Sequence, residues 1–303
     1  MTASAGVTVR SEYVDLDGKT HYLDYGGNKN GPLLVCVHGL GGAAWNWSAL
    51  APLLTDDVRV LAPDLAGHGY TPAEGRRTTV PGNRRLLERF LREVAGEPVV
   101  LVGNSMGGAI SALQAAATPE LVRGVVLVDP ALPRPLLSPI DARVAASFAA
   151  IALPGLGEAA LARRRRTVTA EKIVQETLSL CCVDPSRVPA EVVETAIRMA
   201  KDRGHDSEAG PSFLLAARSV VKLLTRPRRL NAALGAIKAP VLVIHGDKDR
   251  LVPVRVARSV ARAHPDWQLE IANDIGHVPQ LEAADWTADV MRDWLRQKAI
   301  LTV

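Results

Sequence analysis

Short apolar runs alternate with helix-compatible stretches through the first 130 residues. Each run ends at or next to a turn-forming residue, and the runs are Leu33–Val37, Val58–Ala62, Pro98–Val102 and Gly124–Val128. A continuous apolar run is typical of a strand that is buried on both faces, as strands are in a parallel sheet covered by helices. The alternation therefore predicts an α/β fold with a mostly parallel sheet and helices on both faces.

This alternation stops after residue 130 and resumes after residue 233. Residues 131–233 show helical patterns and no run typical of a strand. Two strand-like runs and a closing helix then follow, at Val241–His245, Gln268–Ala272 and Ala284–Lys298. We therefore predict an α/β core formed by residues 1–130 and 234–303, and an all-helical insertion formed by residues 131–233.

The strongest chemical signal is the segment Gly-Asn-Ser-Met-Gly-Gly at positions 103–108. It follows an apolar run and opens the alanine-rich stretch Met106–Ala117, which is the strand–turn–helix setting of a G-x-S-x-G nucleophile elbow. Glycine on both sides permits a turn so tight that a Cβ atom would collide. The hydroxyl of Ser105 would then lie at a helix N-terminus, where developing negative charge is stabilised. Ser105 is the predicted nucleophile.

A second glycine-rich loop, His-Gly-Leu-Gly-Gly at positions 38–42, directly follows a buried run. An acyl-transfer serine needs N–H donors for the oxyanion of its tetrahedral intermediate. We expect these donors to be the backbone N–H groups of Met106, which follows the nucleophile, and of Leu40 in this loop. A flexible turn would also account for the glycines.

Two late loops contain candidates for a general base and its acid. A serine hydroxyl needs an adjacent base, and an imidazole needs a carboxylate that fixes its tautomer and stabilises its cation. We predict His277, which follows the second late strand, as the base, and Asp249, which follows the first, as the acid. Asp129 at a strand end and Asp247 on the same loop are alternative acids, although Asp247 is expected to bind its own loop's backbone.

Composition excludes several other functions. An aromatic content of 4% and a net charge of only +4 argue against a nucleic-acid partner. No apolar run is long enough to span a membrane, and no secretory signal is visible. Three cysteines (Cys36, Cys181 and Cys182) are too few for a disulfide framework and suit reduced thiols, so we expect a cytoplasmic protein. No histidine pair has the spacing of metal ligands, and neither a metal nor a cofactor is predicted.

Positive charge is concentrated in the helical insertion. Between residues 131 and 232 the chain has 16 Lys and Arg against 10 Asp and Glu. The largest contributor is the run Arg163–Arg166. Three further arginines, Arg226, Arg228 and Arg229, lie near the end of the insertion. A solvated helix edge is one interpretation, and a weak peripheral contact with an anionic lipid surface is the other.

These motifs, together with Asp-Leu-Ala-Gly-His-Gly at positions 64–69 and with Glu282, stand in an order that resembles the α/β-hydrolase superfamily over nearly the whole chain. The resemblance implies a mostly parallel eight-stranded sheet with a helical cap inserted after the sixth strand, where residues 131–233 lie. The superfamily does not determine the substrate, because its members share a fold and differ in their sites.

Differences between the motifs of this chain and those of individual branches of the superfamily reduce the number of activities to be considered. Epoxide hydrolases and haloalkane dehalogenases of this fold use an aspartate at the elbow, where this chain has Ser105. The elbow looks like that of meta-cleavage C–C bond hydrolases. Those typically carry Gly-Pro-Gly in the oxyanion loop and a tryptophan after the base, where this chain has Leu-Gly-Gly at 40–42 and Val278. The looser similarity is to carboxylesterases, monoglyceride-type lipases and cofactor-free perhydrolases.

We therefore predict a serine hydrolase that acts on a small-molecule carboxylic ester. The insertion is rich in Ala, Leu and Val, with Phe148 and Phe213 as its aromatic residues, which favours an acyl chain or an alicyclic group as ligand. Packing of the helices against one another would explain the same composition. A C–C bond hydrolase and a ligand-binding or receptor protein that keeps the triad are the alternative functions.

Overall fold

An eight-stranded sheet forms the centre of the protein, whose computed structural model describes residues 9–133, 146, 151, 153 and 155–301. The strands are β1 (Arg10–Asp15), β2 (Lys19–Gly27), β3 (Leu33–Val37), β4 (Arg59–Pro63), β5 (Val99–Asn104), β6 (Val122–Val128), β7 (Val241–Gly246) and β8 (Gln268–Ala272). Their order across the sheet is β1-β2-β4-β3-β5-β6-β7-β8. The pairs β1–β2 and β2–β4 are antiparallel and the remaining pairs are parallel. The predicted mostly parallel eight-stranded sheet is confirmed.

Helices cover both faces of this sheet. They are α1 (Ala51–Leu54), α2 (Val80–Phe90), α3 (Met106–Ala117), α4 (Leu156–Thr167), α5 (Ala170–Cys181), α6 (Ala190–Asp202), α7 (Ala209–Leu224), α8 (Pro227–Gly235), α9 (Arg255–Ala263), α10 (Pro279–Glu282) and α11 (Ala284–Gln297). Residues of α2, α3, α8 and α9 belong to the buried cluster on one face, and residues of α1 and α11 to the cluster on the other. The central strands β3, β5 and β7 are buried along their whole length, as their continuous apolar sequences require.

The segment between β6 and β7 is helical in the part of it that the structure describes. We call its helices α4–α7 the cap. The predicted domain boundary at residue 233 falls inside α8, whose Leu230 and Leu234 belong to the apolar cluster beneath the sheet. The sequence has a helical pattern near residues 142–153, and most of this stretch, including Phe148, lies outside the described residues.

Candidate active site

Ser105 occupies the turn between β5 and α3 in a strained conformation, with φ 54° and ψ −116°. A non-glycine residue held in such a sparsely populated region costs about 1–3 kcal/mol, which the surroundings must offset. The N–H of Ser105 donates to the carbonyl of Val128 over 3.0 Å. Its own carbonyl accepts from the N–H groups of Ala109 at 3.1 Å and Ala131 at 3.0 Å. Contacts with β6, α3 and the chain after β6 therefore hold the strained turn in place.

The two glycines of the elbow leave room that no other residue could. A Cβ atom on Gly103 would lie 2.5 Å from the carbonyl oxygen of Gly107. A Cβ atom on Gly107 would lie 2.1 Å from the carbonyl oxygen of Val37, at the end of β3. Both atoms would meet backbone rather than flexible side chains, so the tight approach of α3 to the sheet depends on these glycines.

The glycine-rich loop after β3 lies directly against the elbow. A Cβ atom built on Gly39 would be 3.2 Å from the Cβ of Ser105. Leu40 follows Gly39, and Met106 is the first residue of α3, where a backbone N–H has no partner within the helix. The two predicted oxyanion donors thus belong to segments that meet beside Ser105, and their role stays a prediction.

His277 and Asp249 form a buried pair at the carboxyl ends of β8 and β7. The Nδ1 atom of His277 lies 2.7 Å from the Oδ2 atom of Asp249, and the two residues are 4% and 7% exposed. The other carboxylate oxygen, Oδ1, accepts from the N–H groups of Leu251 at 2.7 Å and Val252 at 3.0 Å. Burial opposes the charged form of Asp249, but its interactions with neighbouring groups, His277 above all, together keep the pKa of Asp249 below its ordinary value.

The residue before the nucleophile ties this pair to the elbow. The side-chain amide of Asn104 donates to the carbonyl oxygens of His277 and Val128, both at 3.1 Å. The backbone of His277 is therefore hydrogen-bonded to the residue that precedes Ser105. Parallel strands bring their carboxyl ends to the same edge of the sheet, which is where open α/β sheets place their sites. The three residues predicted as nucleophile, base and acid all lie at this edge.

Asp129, the alternative acid, lies behind this pair. It follows β6 with a φ of 44° and has no exposed surface. Its Oδ1 atom accepts from the N–H of Gly246 at 3.0 Å and lies 3.4 Å from the Nε2 atom of His245. In the structure the imidazole of His277 is bonded to Asp249, and Asp129 is beside Asp249 instead.

Asp129, His245 and Asp249 are also the described residues that could hold a metal ion, since their ligand atoms lie within 4.8 Å of one another. The Nε2 atom of His245, however, lies 2.8 Å from the carbonyl oxygen of Val252 and must carry a proton to donate to it. That nitrogen is therefore not available to a metal, and the donor set fits a hydrogen-bonded cluster better.

The role expected of Asp247 was wrong. Its Oδ1 atom accepts from the backbone N–H of Asp274 over 2.7 Å, in the loop after β8, and does not bind the backbone of its own loop. The strands β7 and β8 are parallel neighbours, so their following loops emerge side by side. The carboxylate joins those two loops, a partnership that local sequence could not reveal.

Buried hydrogen bonds of His38 connect the glycine-rich loop at positions 38–42 to the loop that follows β4. His38 donates from Nδ1 to the carbonyl of Gly39 at 2.8 Å and accepts at Nε2 from the N–H of Leu65 at 3.0 Å. Burial lowers the pKa of His38 and brings that of His68 to about 3, so both imidazoles are neutral. Both histidines therefore act as neutral structural elements of the two loops.

A family model described as the alpha/beta hydrolase fold matches residues 32–284, which is most of the chain. The protein belongs to the α/β-hydrolase family. The matched segment runs from the start of β3 to the start of α11 and therefore contains every site residue described above.

Similar proteins of this family have different activities. The chain is 30% identical over 272 residues to a pimeloyl-(acyl-carrier protein) methyl ester esterase of Aromatoleum aromaticum, covering 88% of this chain and 99% of that protein. It is 29% identical over 280 residues to the dihydrolipoyllysine-residue acetyltransferase component of the acetoin cleaving system of Pseudomonas putida. That match covers 89% of this chain, which spans only 65% of the relative's length.

A solved structure shows the same fold at low identity. Haloalkane dehalogenase DbeA from Bradyrhizobium elkani superposes with a TM-score of 0.79 and 20% identity, covering 96% of this hydrolase and 99% of the dehalogenase. At this identity the likeness concerns the fold alone.

The end of α5 in the cap is hydrogen-bonded to the loops of Asp249 and His277. The N–H of His277 donates to the carbonyl of Cys181 over 2.6 Å. The guanidinium of Arg250, next to Asp249, donates to the carbonyl oxygens of Ser179 and Cys182. Neither Arg250 nor the carbonyl of Cys181 stood out in the sequence, because a backbone carbonyl carries no sequence signal.

Glu282 completes this junction. Its buried carboxylate accepts at Oε1 from the N–H groups of Val183 and Asp184, and at Oε2 from the N–H of Gly276, each over 2.8 Å. The resemblance to the superfamily singled out Glu282, and the structure shows that it joins the cap to the loop of His277.

The cysteines nearby have no reactive character. Cys36 and Cys182 are buried, and burial raises the pKa of each thiol. Burial also raises the pKa of Cys181, the last residue of α5, to about 12. The thiolate forms of all three are therefore disfavoured at neutral pH.

The basic run on α4 is only partly a solvated edge. Arg164 pairs with Glu176, and Arg165 donates to the carbonyl oxygens of Gly204 at 2.9 Å and Asp206 at 2.6 Å. Arg163, Arg166, Arg226, Arg228 and Arg229 are exposed. Contact with an anionic lipid surface stays a prediction that rests on these five. None of the described helices is both long and apolar enough to cross a membrane.

Proposed function

We propose that this hydrolase cleaves carboxylic esters through an acyl-enzyme intermediate on Ser105. The observation that carries the proposal is a strained serine at the turn after β5 with a buried His277–Asp249 pair after β8 and β7, at the same edge of the sheet. A strained backbone at this position lifts the hydroxyl clear of the sheet, and such strain is typical of functional sites. The esterase from Aromatoleum aromaticum is in keeping with ester chemistry.

The hydrogen bond between His277 and Asp249 assigns the protons at the start of the cycle. Because Asp249 is ionised, Nδ1 of His277 donates to it, and Nε2 is left with a lone pair. In the proposed first step Nε2 takes the proton of Ser105 as Oγ attacks the ester carbonyl carbon. The carbonyl electron pair moves onto oxygen, which accepts from the N–H groups of Leu40 and Met106.

The tetrahedral intermediate then collapses. The bond to the alcohol oxygen breaks, and the imidazolium of His277 gives its proton to that oxygen, so an alcohol leaves and an acyl-serine remains. Water repeats the sequence: His277 removes its proton, the oxygen attacks the acyl carbon, and the carboxylic acid leaves as Ser105 recovers its proton. Asp249 stabilises the imidazolium in both halves and is not itself protonated.

An apolar acyl group is the substrate we propose. Phe213 of α7 lies over the oxyanion loop, since a Cβ atom on Gly41 would be 3.2 Å from its ring. A partly exposed aromatic ring beside the donors of the oxyanion hole favours an apolar chain over a charged one. In this proposal the cap contributes to substrate selection, whereas the residues that react with the ester lie in the α/β core.

The decisive measurement is hydrolysis of p-nitrophenyl esters from acetate to palmitate by the parent protein and by Ser105→Ala. We expect multiple turnovers in the parent and a loss of about 10⁴-fold or more in kcat for the variant. Ser207→Ala, an exposed serine in the cap region, is the matched control and should keep the parent rate.

Two results would contradict the proposal. Equal turnover by the parent and Ser105→Ala would show that the serine is not the nucleophile. A single acylation without further cycles would favour a ligand-binding protein, and no reaction with any ester would favour the C–C bond hydrolase, for which a dienoate is the test substrate.

A further inference from the structure

Two buried carboxylates flank a single imidazole nitrogen behind the catalytic pair. The Nε2 atom of His245 lies 3.4 Å from Oδ1 of Asp129 and 3.5 Å from Oδ2 of Asp249. The side chains of all three have no exposed surface. Ligand atoms of Asp129, His245 and Asp249 lie within 4.8 Å of one another. Two buried negative charges this close would repel strongly, so one carboxylate must be neutral or both must be compensated.

Hydrogen bonds are divided unequally between the two carboxylates. Asp249 accepts from three donors, which are the ring of His277 and the N–H groups of Leu251 and Val252. Asp129 accepts at Oδ1 from the N–H of Gly246 alone. Its Oδ2 atom is buried and has no hydrogen-bond donor among the described residues. An ionised oxygen in that position would be strongly disfavoured, whereas a protonated one becomes a donor itself.

His245 does not supply the missing positive charge. Burial lowers its pKa, and its Nε2–H group donates to the carbonyl of Val252 at 2.8 Å. The other titratable groups near the two carboxylates are Glu282, an acid, and Cys181, whose thiol is neutral. The guanidinium of Arg250, the residue after Asp249, donates to the carbonyl oxygens of Ser179 and Cys182 and to neither carboxylate.

We propose that Asp129 is protonated at neutral pH and donates its proton to Asp249, so that the two carboxyl groups together carry one negative charge. Asp129 is then a positioning residue: it holds the acid that orients His277 and keeps a second charge away from the base. Burial and the charge of Asp249 both raise the pKa of Asp129, in agreement with this assignment. The protonation itself is independent of the proposed ester hydrolysis, and only its kinetic consequence rests on that function.

Infrared difference spectroscopy tests the protonation without any assay of activity. The parent at pH 7 to 8 should show the C=O stretching band of a protonated carboxyl group, and Asp129→Asn should lack it. Asp247→Asn, which changes a nearby carboxylate that binds the backbone of Asp274, should retain the band. A parent spectrum without the band, or a band that survives in Asp129→Asn, would overturn the assignment.

The pH dependence of kcat/KM for an ester tests the consequence. Asparagine keeps the shape and a donor for Asp249 but cannot ionise, so the acidic limb of the profile should be unchanged in Asp129→Asn. Asp129→Ala removes the donor and should lower kcat more than it changes KM, a loss that the asparagine variant does not show. A shift of the acidic limb to lower pH in Asp129→Asn would mean that the parent aspartate is ionised, and would overturn the proposal. If the protein proves inactive on esters, the infrared result still decides the protonation.

Discussion

The carboxylate of Glu282 joins the cap to the loop of His277, and its replacement is the most informative perturbation of the fold. It accepts three backbone N–H groups, two from Val183 and Asp184 after α5 and one from Gly276. Its side chain has no exposed surface, so water cannot replace these bonds in the folded protein.

The magnitude follows from the number of bonds that a glutamine could keep. Hydrogen bonds to a charged group are worth about 1.5–3 kcal/mol each. In Glu282→Gln the amide oxygen can serve only one side of the junction, and the NH₂ group faces the N–H donors of the other. One or two charge-assisted bonds are lost and a donor is left buried without a partner. We expect the free energy of unfolding to fall by about 2–5 kcal/mol.

Urea unfolding followed by circular dichroism measures this loss. Glu93→Gln is the matched control, because Glu93 pairs with Arg89 at 2.8 Å but its side chain is 44% exposed. An exposed pair of this kind contributes about 0–1 kcal/mol. We also expect kcat of the folded Glu282→Gln protein to fall, since Gly276 is adjacent to the base.

Equal losses in the Glu282 and Glu93 variants would refute the reasoning. That result would mean that the three bonds contribute no more than a surface pair, and that the end of α5 is held by its other contacts. A large loss of stability with kcat unchanged would show that the junction supports the fold and not the position of His277.

Three further outcomes are expected. First, the pKa of His68 falls to about 3 in the folded protein, against about 6.5 when unfolded. The unfolded state therefore binds more protons between these values, and the free energy of unfolding should decline as pH falls from 6.5. Measured at pH 7 and at pH 5, this decline should be smaller in His68→Gln than in the parent, by about 2 kcal/mol. Second, Gly107→Ala should fail to fold or lose most of its stability, because its Cβ would meet the carbonyl of Val37, whereas Gly235→Ala, with no atom within 4 Å, should unfold like the parent. Third, Phe213→Ala should move the ester chain-length optimum toward longer or bulkier acyl groups, and Leu215→Ala, on an exposed side chain of the same helix, should leave it unchanged.

Local sequence was sufficient wherever one backbone constraint admits few residue types. The apolar runs predicted the buried strands, because a strand covered on both faces tolerates little else. The glycines at 103 and 107 predicted the tight turn at Ser105, because only glycine fits so close to another backbone. Order along the chain then placed the base and acid candidates on strand ends that a parallel sheet must bring to one edge.

Local sequence failed where a side chain's partner is distant along the chain. The carboxylate of Asp247 binds the backbone of Asp274 rather than its own loop, because neighbouring parallel strands set their loops side by side. The same limit hid Arg250, whose partners are carbonyl oxygens at the end of α5. A charged residue in the sequence indicates that its side chain needs a partner, but only the folded structure shows which group that partner is.

The sequence by itself determined the sheet, the elbow and the candidate residues, since these depend on burial patterns and on glycines whose roles are local. Only the tertiary structure decided which carboxylate faces His277, because Asp129 and Asp249 both follow strands at the same edge of the sheet. Asp249 accepts from the distant His277 and from two N–H groups of its own loop, whereas Asp129 accepts from the N–H of Gly246 alone. The charge that each carboxylate carries therefore depends on its partners in the folded protein, and those partners cannot be identified from the order of residues alone.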